Sequence, residues 1–256
     1  MSNWFDYPSA PTGALSAPSP WPETGDGSEA YPVLPICITI DTSGSMAASG
    51  ALEAMNACLP KLRTFLRNEP TAGEMARIGL VTFNTSAREV LPLCDVDQVA
   101  MPTLTAEGTT NYAEAFKATR GFFERHIPRL GRGVRYYAPI VFFITDGEPS
   151  DERELWTVEA QALKTAGKYR ANVVCFGMGD ANPELLREIG ITFISKSHDP
   201  VESTERVFRE LLGSIKTTSA SVRDAVESGG SGRLQFGPDI TGGFTPYLPL
   251  DLNINP

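Results

Sequence analysis

Two near-continuous apolar runs of strand length, Val33 to Ile40 (VLPICITI) and Pro139 to Thr145 (PIVFFIT), constrain this chain more than any other feature. A strand with one face in water alternates apolar and polar residues, whereas a strand apolar throughout is covered on both faces, as in a parallel sheet. Pro35 falls early in the first run, where a missing N–H is tolerable. Around these runs strand and helix patterns alternate, the signature of an α/β domain. Leu52, Met55, Leu59, Leu62 and Leu66 recur at helical steps, and Pro60 among them predicts a kink or local break. Arg77 to Phe83 and Ala87 to Leu91, separated by Asn84, Thr85 and Ser86, read as a hairpin and therefore an antiparallel edge strand. Further helices are expected on the apolar positions Tyr112, Ala115, Phe116, Thr119 and Phe123, then Leu155, Val158, Ala162 and Leu163. Others are expected over Pro183 to Ile189 and on Val207, Phe208, Leu211, Leu212 and Ile215, with strands at Asn172 to Phe176 and Thr192 to Ser195. The expected fold class is α/β: a doubly wound, mostly parallel central sheet with one antiparallel edge strand and helices on both faces.

The ends differ from this body. Residues 1–30 carry Pro8, Pro11, Pro18, Pro20 and Pro22 among Ser, Gly and Ala and are expected to be a flexible Pro-rich segment. Trp4, Phe5, Tyr7 and Trp21 give it more aromatic surface than an inert linker needs. A domain is expected over residues 31–216, followed by a Ser/Gly/Pro-rich tail over 217–256.

Charge narrows the function classes. The 256 residues hold 22 basic and 31 acidic side chains, a net charge of -9, so no long-range field draws the chain to phosphate backbones or anionic lipid. Neither nucleic acid nor a membrane surface is expected as a partner. The apolar stretches are strand-sized and the start lacks the basic and apolar segments of a secretory signal, which points to a cytoplasmic protein. Cys37, Cys58, Cys94 and Cys175 stand singly, without the spacing of a metal or redox pair, and read as small core residues. With only His126 and His198, a nucleophile–histidine set has little material.

Three loops share one chemical character. They are Asp41-Thr42-Ser43-Gly44-Ser45 after the first strand, Gly108-Thr109-Thr110 before a helix, and Thr145-Asp146-Gly147 after PIVFFIT. In a parallel α/β sheet the carboxyl ends of the strands share one edge, where ligand crevices form, so the three loops should converge. They would bring together the carboxylates of Asp41 and Asp146 and the hydroxyls of Ser43, Ser45 and Thr110, with no imidazole or thiolate. Such hard oxygen donors suit Mg²⁺, or Mn²⁺ and Ca²⁺, rather than zinc or copper. Alternate residues of an extended D-x-S-x-S turn point to one side, and Gly44 allows a bend there. Taken alone, DTSGS reads as a helix cap or turn sooner than as a metal site; joined to the TDG and GTT segments at matching strand ends, it reads as the metal site.

The sequence ITIDTSGSM, with EGTTNYAEAF and VFFITDGEPSD downstream in that order, resembles a von Willebrand factor A domain carrying a metal-ion-dependent adhesion site, over roughly Val33 to Lys216. The resemblance implies that Asp41, Ser43, Ser45, Thr110 and Asp146 hold a divalent cation. Thr109 is the rival to Thr110, which is preferred because it lies six residues before Phe116. It also implies that a partner protein supplies an Asp or Glu to complete the coordination; with no general acid or base near the motif, the chain is not expected to be an enzyme. Within the family the chain, with RIGLVTFNTSAREVLPL and TDGEPSD, is most similar to bacterial tellurite-resistance TerY-like proteins, which implies a stress-response setting with a protein kinase and a PP2C-type phosphatase as partners.

The enzymatic alternative is a Mg²⁺-dependent phosphotransferase or phosphatase using Asp41 as nucleophile at the end of the first strand. A haloacid-dehalogenase pattern would have a second Asp where Ser43 stands, and no general acid or base lies near the motif. Gly177-Met178-Gly179-Asp180 lacks a full nucleotide-binding fingerprint and reads as a sheet-edge turn. Glu107, Glu148 and Asp151 lie near the presumed metal edge as outer acceptors or solvated loop charges. Asn84 reads as a turn residue or a neighbour of the site, and Trp156 as a cover on the sheet.

Overall fold

The computed structural model describes residues 32–131, 134–166, 169–228, 232–236 and 240–247. The expected flexible segment 1–30 lies outside them, as do Gly229 to Ser231 of the Ser/Gly run.

The first apolar run forms β1 (Leu34–Asp41), buried at every position, and the second forms β4 (Ile140–Thr145), likewise buried throughout. They are hydrogen-bonded neighbours at the centre of a seven-stranded sheet. With β2 (Ala76–Phe83), β3 (Ala87–Cys94), β5 (Asn172–Gly177), β6 (Ile191–Ser195) and β7 (Phe244–Tyr247), the order is β3-β2-β1-β4-β5-β6-β7. The five inner strands are parallel, while β3 and β7 pair antiparallel at the two edges. The order reverses direction between β1 and β4, which makes their carboxyl ends the switch-point crevice of the sheet. The doubly wound α/β expectation stands, with a second antiparallel edge in addition to the expected one. β7 escaped the sequence reading because its four residues carry a proline and two exposed positions, too little pattern for a strand signal.

Alternation along β1 divides the core. Leu34, Ile36, Ile38 and Ile40 face one side, where they meet Leu59 and Leu62 of α2 (Ala51–Asn68) and Val207, Leu211 and Ile215 of α7 (Pro200–Ser228). Cys37 faces the other side with Val141 and Phe143 of β4, Phe116 of α4 (Tyr112–His126) and Trp156 of α5 (Arg153–Gln161). Short helices α1 (Gly44–Ala48), α3 (Pro70–Met75), α6 (Pro183–Ile189) and α8 (Ile240–Gly243) complete the described body.

Three local expectations need correction. Pro60 does not break α2, which continues through it with Pro60 on its exposed side; the residue one turn earlier, Asn56, turns its side chain to the backbone of Leu104. On α5 the buried residues are Trp156 and Ala160, continued by Leu163, whereas Leu155 and Val158 are exposed at 55% and 67%. The boundary expected at residue 216 is passed by α7, which continues to Ser228 and buries Thr218, Ser219, Val222 and Ala225. Apart from Val222, small hydroxyl and alanine side chains form that stripe, so its helical period carries little hydropathy.

Candidate metal site at the carboxyl ends of β1 and β4

Asp41 is the last residue of β1, and Asp146 directly follows β4. Parallel pairing sets Ile40 opposite Ile144, so the next residues, Asp41 and Thr145, lie side by side. Thr145 Oγ1 donates to Asp41 Oδ2 at 2.7 Å, and the Ser43 amide donates to Asp41 Oδ1 at 2.8 Å. Ser43 Oγ lies 3.0 Å from Ser45 Oγ, and Ser45 Oγ donates to Asp146 Oδ1 at 2.7 Å. Asp41, Ser43, Ser45 and Asp146 therefore form one hydrogen-bonded chain across two strand ends.

The capping interpretation of DTSGS does not hold. Ser43 occupies the N-cap position of α1 but makes no side-chain capping bond, and its hydroxyl goes to Ser45 instead. Gly44 has an ordinary negative φ; the left-handed residue is Gly108, at φ +68°. A β-carbon on Gly108 would lie 2.3 Å from Thr85 Oγ1, so this position demands glycine on both conformational and steric grounds.

Gly108 brings the third loop alongside the first. The Gly44 amide donates to Gly108 O at 3.1 Å, and the Glu107 amide donates to Thr42 O at 2.9 Å. Thr109 is exposed, its hydroxyl 3.2 Å from Thr85 Oγ1, whereas Thr110 is buried and its carbonyl accepts from both the amide and the hydroxyl of Ser150. Of the two candidate threonines, Thr110 has its hydroxyl free of Thr85. The Thr110 side chain makes no hydrogen bond to the four-residue chain; its loop is joined to theirs through the backbone.

The electrostatics are unusual for a resting protein surface. Burial, opposed by hydrogen bonds from Ser43 and Thr145, pushes Asp41 up to about 6, and the nearby Asp146 adds to the rise. Burial raises Asp146 too, against the Ser45 hydrogen bond, with Asp180 adding to the rise. Among the described residues no Lys, Arg or His forms a salt bridge with either carboxylate. Two adjacent buried acids without a basic partner are costly unless a cation neutralises them. Ser45 and Gly44 are exposed, so the rim opens to solvent. The residues thus fit a hard divalent ion by donor type, charge and access.

Sequence reading missed the residues that hold this rim. Tyr112, buried at the start of α4, donates to Gly147 O at 2.8 Å and contacts Thr145 Oγ1 at 3.3 Å. Its ring is fixed edge-on against Phe143 at 5.0 Å. Asp151 accepts from the amides of Tyr112 and Ala113, both at 2.9 Å, and so anchors α4 instead of serving as a loose loop charge. Glu148 accepts from Asn182, and the Glu107 side chain has no metal-edge contact among those described. Asn84 plays the turn role, accepting from the Ser86 amide. The turn after β5 leans on the site, with the Asp180 amide donating to Asp146 O at 3.0 Å. The signals available in sequence were Thr145 within TDG and an aromatic two residues after Thr110; both carry hydroxyls, but neither stands out from ordinary strand and helix residues.

The described body has the fold of von Willebrand factor type A domains. Residues 36–148 match the family model described as the von Willebrand factor type A domain, a stretch that contains all five candidate donors. Among similar solved structures is a von Willebrand factor type A protein from Catenulispora acidiphila, at 18% identity and a TM-score of 0.53, covering 73% of this chain and 43% of that one. Proximal thread matrix protein 1 of the mussel byssus, solved with a zinc-occupied MIDAS motif, is 19% identical with a TM-score of 0.54, covering 73% and 48%. The pilus adhesin SpaC of Lactobacillus rhamnosus GG is 13% identical with a TM-score of 0.56, covering 74% and 31%. The chain spans less than half the length of each. No curated protein matches it. No helix among the described residues is long and apolar enough to cross a membrane.

Proposed function

We propose that this chain is a divalent-cation-dependent protein-interaction module in which Asp41, Ser43, Ser45, Thr110 and Asp146 hold the ion. The observation that carries this reading is the pair of buried carboxylates at the switch point, supplied with hydroxyls and no basic side chain. A divalent cation bound there supplies Lewis acidity and an exchangeable coordination position. The chain's residues do the rest: Thr145 and the Ser43 amide fix the two oxygens of Asp41, Ser45 holds Asp146, and the exposed rim at Ser45 admits an Asp or Glu from a partner. Mg²⁺ is the expected ion, with Mn²⁺ and Ca²⁺ as substitutes. Zinc, which the oxygen donors alone disfavour, enters as a further candidate because the mussel protein was solved with zinc at its own motif.

The reading includes no catalysis, since the rim offers no general acid or base beyond the two carboxylates. A cytoplasmic stress-response setting with a protein kinase and a PP2C-type phosphatase follows from the likeness of RIGLVTFNTSAREVLPL and TDGEPSD to TerY-like proteins. Affinity capture from the native cell, with Mg²⁺ against chelator and with Asp41→Asn as a second bait, tests both levels. Recovery of a kinase or phosphatase by the unaltered chain in Mg²⁺ alone is expected; recovery by both baits would contradict a metal-bridged contact. Hydrolysis of a phosphomonoester by the purified chain, lost in Asp41→Asn, would favour the enzymatic alternative.

A further inference from the structure

We propose that the groove between α4 and α5 is a second contact for the partner, taking a large apolar side chain flanked by a Lys or Arg next to the acid that reaches the rim. The proposal rests on the metal-bridged reading above and adds the chemistry of the partner segment. Leu155 and Val158 lie three residues apart, and so on one helix face. They are two of the four large hydrophobic side chains that stand exposed among the described residues; Val134 and Val201 are the others. Both line a groove of about 330 Å³ whose lining includes Asn111, the chain neighbour of Thr110. The groove therefore reaches the loop that carries Thr110.

Its charge selects the occupant. Glu114, Asp151, Glu154 and Glu159 line it against the single basic residue Lys117, the Asp151 carboxylate being taken up by the Tyr112 and Ala113 amides. Glu159 is paired to Arg120 at 2.9 Å and Glu114 to Lys117 at 3.4 Å, while Glu154 has no ion pair among the described residues. An acidic segment lying along this groove would be repelled, and a basic one attracted. A partner carrying both signs is oriented by the surface, its acid directed to the rim and its base to Glu154, with the apolar side chain over Leu155 and Val158. A second copy of this chain, with its net charge of -9 and the same acidic groove, fits less well. A repulsive groove next to an acid-accepting ion also rejects partners that offer acids alone, which is how specificity is gained beyond the metal contact.

The test uses the full chain as bait for a library of random linear peptides displayed on phage, selected in Mg²⁺ and in chelator. The expected peptides contain an Asp or Glu together with an apolar residue adjoining Lys or Arg, and they disappear in chelator. The best such peptide should bind Glu154→Lys and Val158→Ser at least about tenfold more weakly, with Mg²⁺ affinity unchanged; both positions are exposed, so folding is retained. Acid-bearing peptides selected in Mg²⁺ without the apolar and basic residues, or an empty selection, would overturn the groove proposal. Apolar and basic peptides selected equally in chelator and by Asp41→Asn would support the groove while contradicting the metal reading. A dimer in sedimentation that Val158→Ser dissociates would assign the groove to a second copy and overturn the proposal.

Discussion

Thr145 Oγ1 donates to Asp41 Oδ2 across the central pair of strands at 2.7 Å, and this bond joins the two halves of the candidate site. Parallel register makes the two residues neighbours, and Tyr112, reaching from the start of α4, holds the same loop through Gly147 O. The side chain that aims Asp41 is thus part of the strand that delivers Asp146.

Removing that donor tests its role. Thr145→Val keeps the β-branched shape but leaves Asp41 Oδ2 without its hydroxyl, and loss of such an outer hydrogen bond lowers metal affinity about 10- to 100-fold. Thr145→Ser restores the donor and should bind Mg²⁺ within a few-fold of the unaltered chain. Isothermal titration of both variants reads the difference.

The metal-free chain should become more stable as pH falls through the window between about 6 and the ordinary carboxylate range. Asp41 is raised from 3.8 to about 6 by burial, opposed by its hydrogen bonds, so in this window the folded state holds a proton that the unfolded state has released. The carboxylate's cost is then fully present above the folded value and relieved below the unfolded one. Its size is of order 3 kcal/mol. Urea unfolding of the metal-stripped chain at pH 7.5 and 5 reads about half of it, roughly 1.4 kcal/mol, a difference that the Asp41→Asn variant should flatten; stability rising with pH through this window in the unaltered chain alone would oppose the assignment.

Gly108→Ala should loosen the whole rim. The residue sits at φ +68° with Thr85 Oγ1 2.3 Å from where a β-carbon would stand, so strain of about 1–3 kcal/mol is expected. Thermal unfolding should register that loss, and Mg²⁺ titration should weaken with it, because the loop carrying Thr110 must move.

Asp151→Ala removes the acceptor of the Tyr112 and Ala113 amides. A cost of about 1–2 kcal/mol is expected from the lost helix anchor. Amide exchange at the first turn of α4 should accelerate more than exchange in β1 or β4.

Where burial and chemistry coincide in short segments, the sequence was legible. β1 and β4 announce themselves because both faces are covered, and the acids at their ends mark the carboxyl edge of the sheet. The hairpin of β2 and β3 is equally plain, since Asn84 to Ser86 separates two strand-like runs. What escaped depends on distant context. The apolar residues of α5 split between a buried set headed by Trp156 and an exposed pair, Leu155 and Val158, and periodicity alone selects the wrong pair. The extension of α7 and the edge strand β7 are built from Thr, Ser, Ala and a proline-containing tetrad, whose burial is decided by what packs on them. The partners of Asp41 were hidden for the same reason: Thr145 and Tyr112 are ordinary strand and helix residues until the register sets them against the site.

The most direct test is an equilibrium titration of the full chain with Mn²⁺, following free ion by electron paramagnetic resonance. One site per chain is expected, competed by Mg²⁺, and lost in Asp41→Asn and in Asp146→Asn while both variants keep the circular dichroism of the parent. Undiminished binding in both variants would contradict a cation held between the ends of β1 and β4.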